Sequence, residues 1–95
     1  MPQSHLSPRI AVYTGSFDPV TLGHLHIIQR SVNLFDQVII GIGVNATKQP
    51  LFGLEERIEL LKRVTQPFPN VRVESFAGLA VEFVRRCGSR VMVRG

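Results

Sequence analysis

A serine hydroxyl and a histidine stand close together in a glycine-bounded segment near the start of the chain. Residues 15–24 read Gly-Ser-Phe-Asp-Pro-Val-Thr-Leu-Gly-His, directly after the strand-like run at residues 10–13. Where a buried strand enters a glycine turn and the chain then begins a helix, backbone N–H groups, the Ser16 hydroxyl and the His24 imidazole converge on one point. Such a point suits a phosphate group. The segment therefore predicts a nucleotide-binding or phosphate-binding turn.

Two cationic side chains, Lys48 and Arg94, complement this turn. Lys48 lies in the polar loop at residues 45–50, after the second predicted strand, and Arg94 follows the fourth. In an open parallel sheet, ligands bind beyond the carboxyl ends of the strands, at the point where the strand order reverses. We therefore expect Lys48 and Arg94 to lie near Ser16 and His24, although they are distant in sequence.

The elements that must position these residues alternate between strand and helix. Apolar residues recur at helical spacing in three segments and form β-branched runs in four others. Thr21 is placed to cap the first helix and Gly53 the second, and Gly88 ends the third. Right-handed crossovers then give a Rossmann-like α/β fold, a parallel sheet of order 3-2-1-4 with helices on both faces. The predicted strands are 9–14, 37–43, 71–76 and 90–93, and the predicted helices are 22–35, 54–65 and 79–87.

Composition narrows the class of protein. Ninety-five residues with 44% hydrophobic content suit one small globular domain, which we place at residues 9–95, after a disordered leader at 1–8. The net charge of +4 comes from scattered cations without interleaved aromatics, so we expect solvated helix faces with one or two phosphate-binding side chains, and no nucleic-acid surface. No apolar run is long enough to span a membrane. The single cysteine, Cys87, agrees with a reducing cytoplasm.

The segment around His24 also carries a family resemblance. Residues 21–24, Thr-Leu-Gly-His, resemble the T/HxGH signature of nucleotidyltransferases. The wider match, from Ile10 to Gly95, is closest to the bacterial phosphopantetheine adenylyltransferase family. Supporting segments are residues 35–39, 47–50, 54–57, 78–79 with Phe83, and 93–95. In the predicted sheet the fourth strand is an edge strand with nothing covering its outer side. We therefore expect the chain to be the N-terminal part of a longer protein.

The resemblance implies reversible adenylyl transfer from ATP to 4′-phosphopantetheine, which gives dephospho-coenzyme A and pyrophosphate. By position, His24 resembles the histidine that stabilises the transition state, and Lys48 and Arg94 resemble the cations that assist it. The residues that match ATP-binding positions are Ser16, Phe17, His24 and Gly95. The residues that match phosphopantetheine-binding positions are Ser16, Lys48, Ala80 and Arg94. The family further implies Mg²⁺ carried with ATP, no metal ligands from the protein, a cytoplasmic location and a homohexamer.

Several alternatives stay open. Ala80 is smaller than the apolar residue common in the family. Ser16 could be only a turn residue, Lys48 a solvated loop lysine and Arg94 a terminal charge, while Asp18 before Pro19 is interpreted as structural. The same loop also serves relatives such as glycerol-phosphate cytidylyltransferases and nicotinamide mononucleotide adenylyltransferases. A nucleotide-binding module without turnover is the remaining hypothesis.

Overall fold

The computed structural model describes residues 6–44 and 49–94. Within them the strands form a single parallel sheet of order 3-2-1-4, numbered along the chain, which confirms the predicted topology. The predicted alternation of strands and helices is also confirmed. The elements are β1 (Ser7–Gly15), α1 (Leu22–Leu34), β2 (Gln37–Gly43), α2 (Leu54–Val64), β3 (Val71–Phe76), α3 (Ala80–Arg86) and β4 (Ser89–Val93).

Helices pack on both faces of the sheet, as the crossover rule requires. Side chains of a strand alternate between faces, so Tyr13 and Val12 of β1 belong to different hydrophobic clusters. Helices α1 and α2 bury Ile28 and Leu61 against the Tyr13 side. Helix α3 buries Phe83 against the other side, together with Val12. The central strands β1 and β2 are thereby covered on both faces, which explains their nearly continuous apolar sequence.

Helix α3 approaches the sheet closely because β2 has no side chain at Gly41. The ring of Phe83 lies directly over this glycine, where a Cβ atom would overlap it. The Phe83 ring also stacks on Phe76, with ring centroids 4.5 Å apart. Gly41 is therefore required by the packing of an aromatic ring against the sheet.

Strand β1 begins earlier than its sequence predicts. The Ser7 N–H donates to the Gly88 carbonyl at 2.8 Å, and Ser7 pairs with Ser89 of β4. Residues 7–8 thus lie in the sheet, so the leader predicted at residues 1–8 is wrong at those two positions. The extension depends on Ser89, which is fully buried and whose Oγ donates to the Ile10 carbonyl at 2.5 Å.

The helices differ from their predictions in small respects. Each ends one residue before its predicted end, and α3 also starts one residue later. Val81 is 56% exposed, because α3 packs on the sheet through Phe83 and Val84. Gly88 has φ 75°, as expected for a residue that ends a helix. Over residues 6–44 and 49–94, no helix combines the length and apolar character needed to cross a membrane.

Candidate functional site

The N-terminus of α1 is organised by a reciprocal pair of hydrogen bonds between Thr21 and His24. Thr21 is the N-cap residue, as predicted, and its Oγ1 accepts the His24 backbone N–H at 3.3 Å. The Thr21 backbone N–H donates to Nδ1 of His24 at 2.9 Å. This is a capping box in which histidine takes the place of the usual glutamate or glutamine. The bond requires an unprotonated Nδ1, so the neutral ring carries its proton on Nε2.

Two aromatic residues pack beside the His24 ring. The Phe17 ring lies 4.8 Å from it between centroids, and the Tyr13 ring lies 6.1 Å away. Burial among these rings lowers the pKa of His24 below its usual 6.5, because the charged imidazolium is less well solvated there. At neutral pH the site therefore presents a neutral imidazole whose Nε2–H is free of the capping box.

The two predicted ligand-binding residues in the turn before α1, Ser16 and Phe17, differ in exposure. Ser16 is exposed, whereas Phe17 is only 1% exposed and its ring packs against Tyr13 as well as His24. Phe17 has φ 47°, a left-handed conformation that is uncommon for a bulky residue. In the structure its ring packs against the His24 ring. Its contact with ATP stays a prediction, as does that of Ser16.

Two depressions meet at the carboxyl end of β1. One, of about 360 Å³, is lined by His24, Thr21 and Gly23 at the start of α1. The other, of about 420 Å³, is lined by Ala80 and Arg94 on the side of α3. Thr14 lines both of them. Sequence reasoning did not single out Thr14, although its position at the end of β1, beside the reversal of strand order, is a signal for it.

Register explains why Arg94 reaches this place. Val93 of β4 pairs with Tyr13 of β1, so Arg94 follows at the level of Thr14 on the neighbouring strand. The structure thus brings Arg94 and Ala80 together and sets them beside the His24 depression, as the predicted topology requires. Lys48 and Gly95 lie outside the described residues.

A third depression, of about 510 Å³, joins Ser16 to the start of α2. Arg57 lines it and is only 6% exposed, although sequence reasoning placed it among the solvated cations. That interpretation is wrong. The Nη1 group of Arg57 donates to the Ser16 carbonyl at 3.1 Å. Helical spacing held a signal, because Arg57 falls between Leu54 and Leu61 on the apolar face of α2.

Asp18 also connects the turn to the segment before α2. Its carboxylate accepts the backbone N–H of Leu51 at 2.7 Å and that of Phe52 at 2.8 Å. Asp18 is thus structural, as predicted, but its partners lie across the molecule and not within its own turn. Across residues 6–44 and 49–94 there is no group of three or more His, Cys, Asp or Glu side chains able to hold a metal ion.

Comparison with known proteins places this site in a family. The cytidylyltransferase-like family matches residues 12–95, which include the turn, the α1 N-terminus and Arg94. A likeness in structure agrees with this. The bifunctional NMN adenylyltransferase/ADP ribose pyrophosphatase of Francisella tularensis, complexed with AMP and a manganese ion, aligns with a TM-score of 0.68 and 26% identity. That alignment covers 84% of this chain and 27% of the other.

The sequence relatives share one name, phosphopantetheine adenylyltransferase. The phosphopantetheine adenylyltransferase of Rhodopirellula baltica is 64% identical over 90 residues, which are 95% of this chain and 50% of the relative. That of Desulforudis audaxviator is 51% identical over 87 residues, 92% of this chain and 53% of the relative. The chain thus spans about half the length of the curated relatives that it matches. Because the family model matches residues 12–95, which is most of the sequence, this chain belongs to the cytidylyltransferase-like family.

Proposed function

We propose that the protein carrying this chain is a phosphopantetheine adenylyltransferase. It transfers the adenylyl group of ATP reversibly to 4′-phosphopantetheine and releases pyrophosphate. A phosphate oxygen of phosphopantetheine attacks the α-phosphorus of ATP, and the bond from that phosphorus to the α,β-bridging oxygen breaks. The electron pair of the broken bond leaves with pyrophosphate, and no covalent enzyme intermediate forms.

The observation that carries the proposal is the pair of depressions that meet at Thr14. Adenylyl transfer needs two phosphorylated substrates bound together with their reacting groups adjacent. We assign ATP to the His24 depression and phosphopantetheine to the Arg94 depression. The 64% identity to a phosphopantetheine adenylyltransferase supports this choice of acceptor.

His24 stabilises the transition state in this proposal. Negative charge grows on the oxygens of the α-phosphoryl group during in-line attack, and the Nε2–H group of His24 donates a hydrogen bond to one of them. The N–H groups of the first turn of α1 add positive potential at the same place. Because Thr21 holds Nδ1, the ring is oriented before substrate binds.

Cations complete the electrostatic environment. Arg94 holds the acceptor phosphate through its forked guanidinium group, beside a backbone contact at Ala80. Lys48 and Gly95 are proposed, by family resemblance alone, to contact the acceptor and ATP respectively. ATP enters as its magnesium complex, in which the phosphate oxygens and water supply most of the ligands of the ion.

Initial rates of pyrophosphate release test the proposal. With Mg-ATP and 4′-phosphopantetheine we expect turnover, and mass spectrometry identifies dephospho-coenzyme A. Nicotinamide mononucleotide with ATP, and glycerol 3-phosphate with CTP, serve as matched alternative pairs, and faster turnover of either pair overturns the acceptor assigned here. If folded protein binds ATP but releases no pyrophosphate with any pair, it is a nucleotide-binding module.

The same resemblance extends to assembly and location. We propose a homohexamer that works in the cytoplasm. Exposed apolar side chains, among them Leu22 and Leu79, are of the kind that subunit contacts cover. Light scattering on the purified protein measures the oligomeric state, and a monomer at working concentration contradicts this part of the proposal.

A further inference from the structure

The phosphate-binding turn is attached to α2 by a buried arginine. Arg57 lies on the apolar face of α2, beside Leu61, and donates to the carbonyl oxygen of Ser16. In a trans peptide the carbonyl oxygen and the following N–H point in opposite directions. By holding the Ser16 oxygen, Arg57 therefore fixes the plane of the peptide between Ser16 and Phe17.

That peptide precedes a residue in an unfavourable conformation. Phe17 has φ 47°, and a bulky residue keeps a left-handed conformation only where its surroundings enforce it. Packing of the Phe17 ring supplies one such constraint, because the ring is held between Tyr13 and His24. The hydrogen bond from Arg57 on α2 supplies a second constraint on the same turn.

Asp18 supplies a further connection, with donor and acceptor reversed. Here the turn provides the acceptor, and the Leu51 and Phe52 N–H groups before α2 provide the donors. Hydrogen bonds to a carboxylate are short and strong. Arg57 of α2 thus bonds to the turn, and Asp18 of the turn bonds to the segment before α2.

We propose that Arg57 and Asp18 form a brace that positions the Ser16 turn for phosphoryl chemistry. We call these two residues the turn brace. The inference rests on the proposed function, since it assigns them as positioning residues for that site. Neither touches substrate in this scheme. They act through Ser16 and through Phe17, on which the His24 ring rests.

Kinetics of matched variants test the turn brace. Arg57→Met removes the donor and keeps much of the side-chain volume, and we expect kcat to fall about 100-fold at temperatures where the variant is fully folded. Arg57→Lys restores part of the rate. Arg63→Met is the control, because Arg63 lies on the same helix with its side chain 72% exposed. We expect the control to keep kcat within about twofold.

Asp18→Asn tests the second residue of the turn brace with almost no change in side-chain volume. We expect kcat to fall about tenfold, because both N–H groups lose a charged acceptor and one of them faces the amide NH2 donor in place of an oxygen. Asp36→Asn is its control, since Asp36 forms an exposed ion pair with Arg9. If Arg57→Met does not fold, Asp18→Asn and Arg57→Lys decide the question. Wild-type kcat in the folded variants overturns the proposal.

A measurement on the ligand-free protein separates the turn brace from the proposed function. Nuclear magnetic resonance reports the Ser16 carbonyl carbon and the Phe17 amide nitrogen, which we expect to shift in Arg57→Met and to stay unchanged in Arg63→Met. The Leu51 and Phe52 amide protons move upfield in Asp18→Asn. If these resonances stay unchanged, the turn brace is overturned. If they shift while the wild-type protein transfers no adenylyl group, the proposed function fails and only the structural link remains.

Discussion

His24 uses its two ring nitrogens for different purposes. Nδ1 accepts the Thr21 N–H and completes the cap of α1, while Nε2 is left for the depression that the ring lines. The cap orients the imidazole and selects its tautomer before any ligand arrives. A contact that contributes to folding therefore also orients the donor that the proposed mechanism assigns to the transition state.

Replacing His24 should affect rate far more than stability. For His24→Ala we expect kcat to fall about 10²- to 10³-fold, because one donor to the transition state is lost. The free energy of unfolding should fall by only about 1 kcal/mol, the usual cost of a helix cap. His26→Ala, at an exposed position of the same helix, is the control for both measurements. A collapse of the melting temperature in His24→Ala, with kcat preserved, would identify a purely structural histidine.

The lowered pKa of His24 makes stability depend on pH. Between the folded pKa and the unfolded value near 6.5, the unfolded chain binds more protons than the folded chain. This contribution is therefore complete above about pH 6.5 and is lost as the pH falls towards the folded pKa. Protonation of Nδ1 would also break its bond with the Thr21 N–H.

Urea unfolding at a series of pH values checks this dependence. His24→Gln is the matched variant, because glutamine at this position of a helix completes the capping box without titrating. We expect the stability of the wild type relative to this variant to decrease as the solution is acidified below about pH 6.5. An increase on acidification would have the wrong sign for a histidine buried in its neutral form.

At the scale of elements, packing between α3 and β2 depends on the absence of one side chain. The Phe83 ring occupies the space over Gly41, and stacking on Phe76 prevents it from moving aside freely. We expect Gly41→Ala to lower the free energy of unfolding by about 1–3 kcal/mol, the usual cost of overpacking. Chemical denaturation measures this loss.

Gly43 offers a control on the same strand. A Cβ there would lie 3.5 Å from the Phe76 ring, an ordinary contact, so Gly43→Ala should change stability much less. Adding Phe83→Leu to Gly41→Ala should recover part of the loss, because the smaller side chain leaves room for the methyl group. Equal losses in the two glycine variants would show that backbone effects, and not the ring, decide the outcome.

The sequence predicted the helices and strands and their order along the chain, because hydrophobic periodicity and turn residues are read from neighbouring residues. The strand and helix alternation, the Thr21 cap and the order 3-2-1-4 are all confirmed. Features that depend on long-range contacts were missed. The start of β1 at Ser7 depends on pairing with Ser89, and the burial of Arg57 depends on a carbonyl 41 residues away. Helical spacing places Arg57 on the apolar face of α2, but no local pattern reports the carbonyl that it contacts.

At the scale of the whole molecule, the two proposed substrate sites lie at the carboxyl ends of the strands. The depressions on the α1 and α3 sides share Thr14 as a lining residue, so direct transfer between the proposed substrates requires both to be bound together. We therefore expect sequential kinetics, with intersecting double-reciprocal plots and inversion of configuration at the α-phosphorus. Exchange of labelled pyrophosphate into ATP should require dephospho-coenzyme A. Exchange by the protein with ATP alone would instead reveal an adenylylated enzyme.

The start of β1 at Ser7 bears on how the protein can be attached to a sensor surface. Parallel strands all begin at one edge of the sheet, so Ser7 lies at the edge opposite to Thr14 and Arg94. Strand β1 contains 9 residues and separates the two edges by roughly 25–30 Å. A biosensor linkage placed before Ser7 would therefore anchor the protein with both depressions turned towards the solution, where analyte reaches them unhindered.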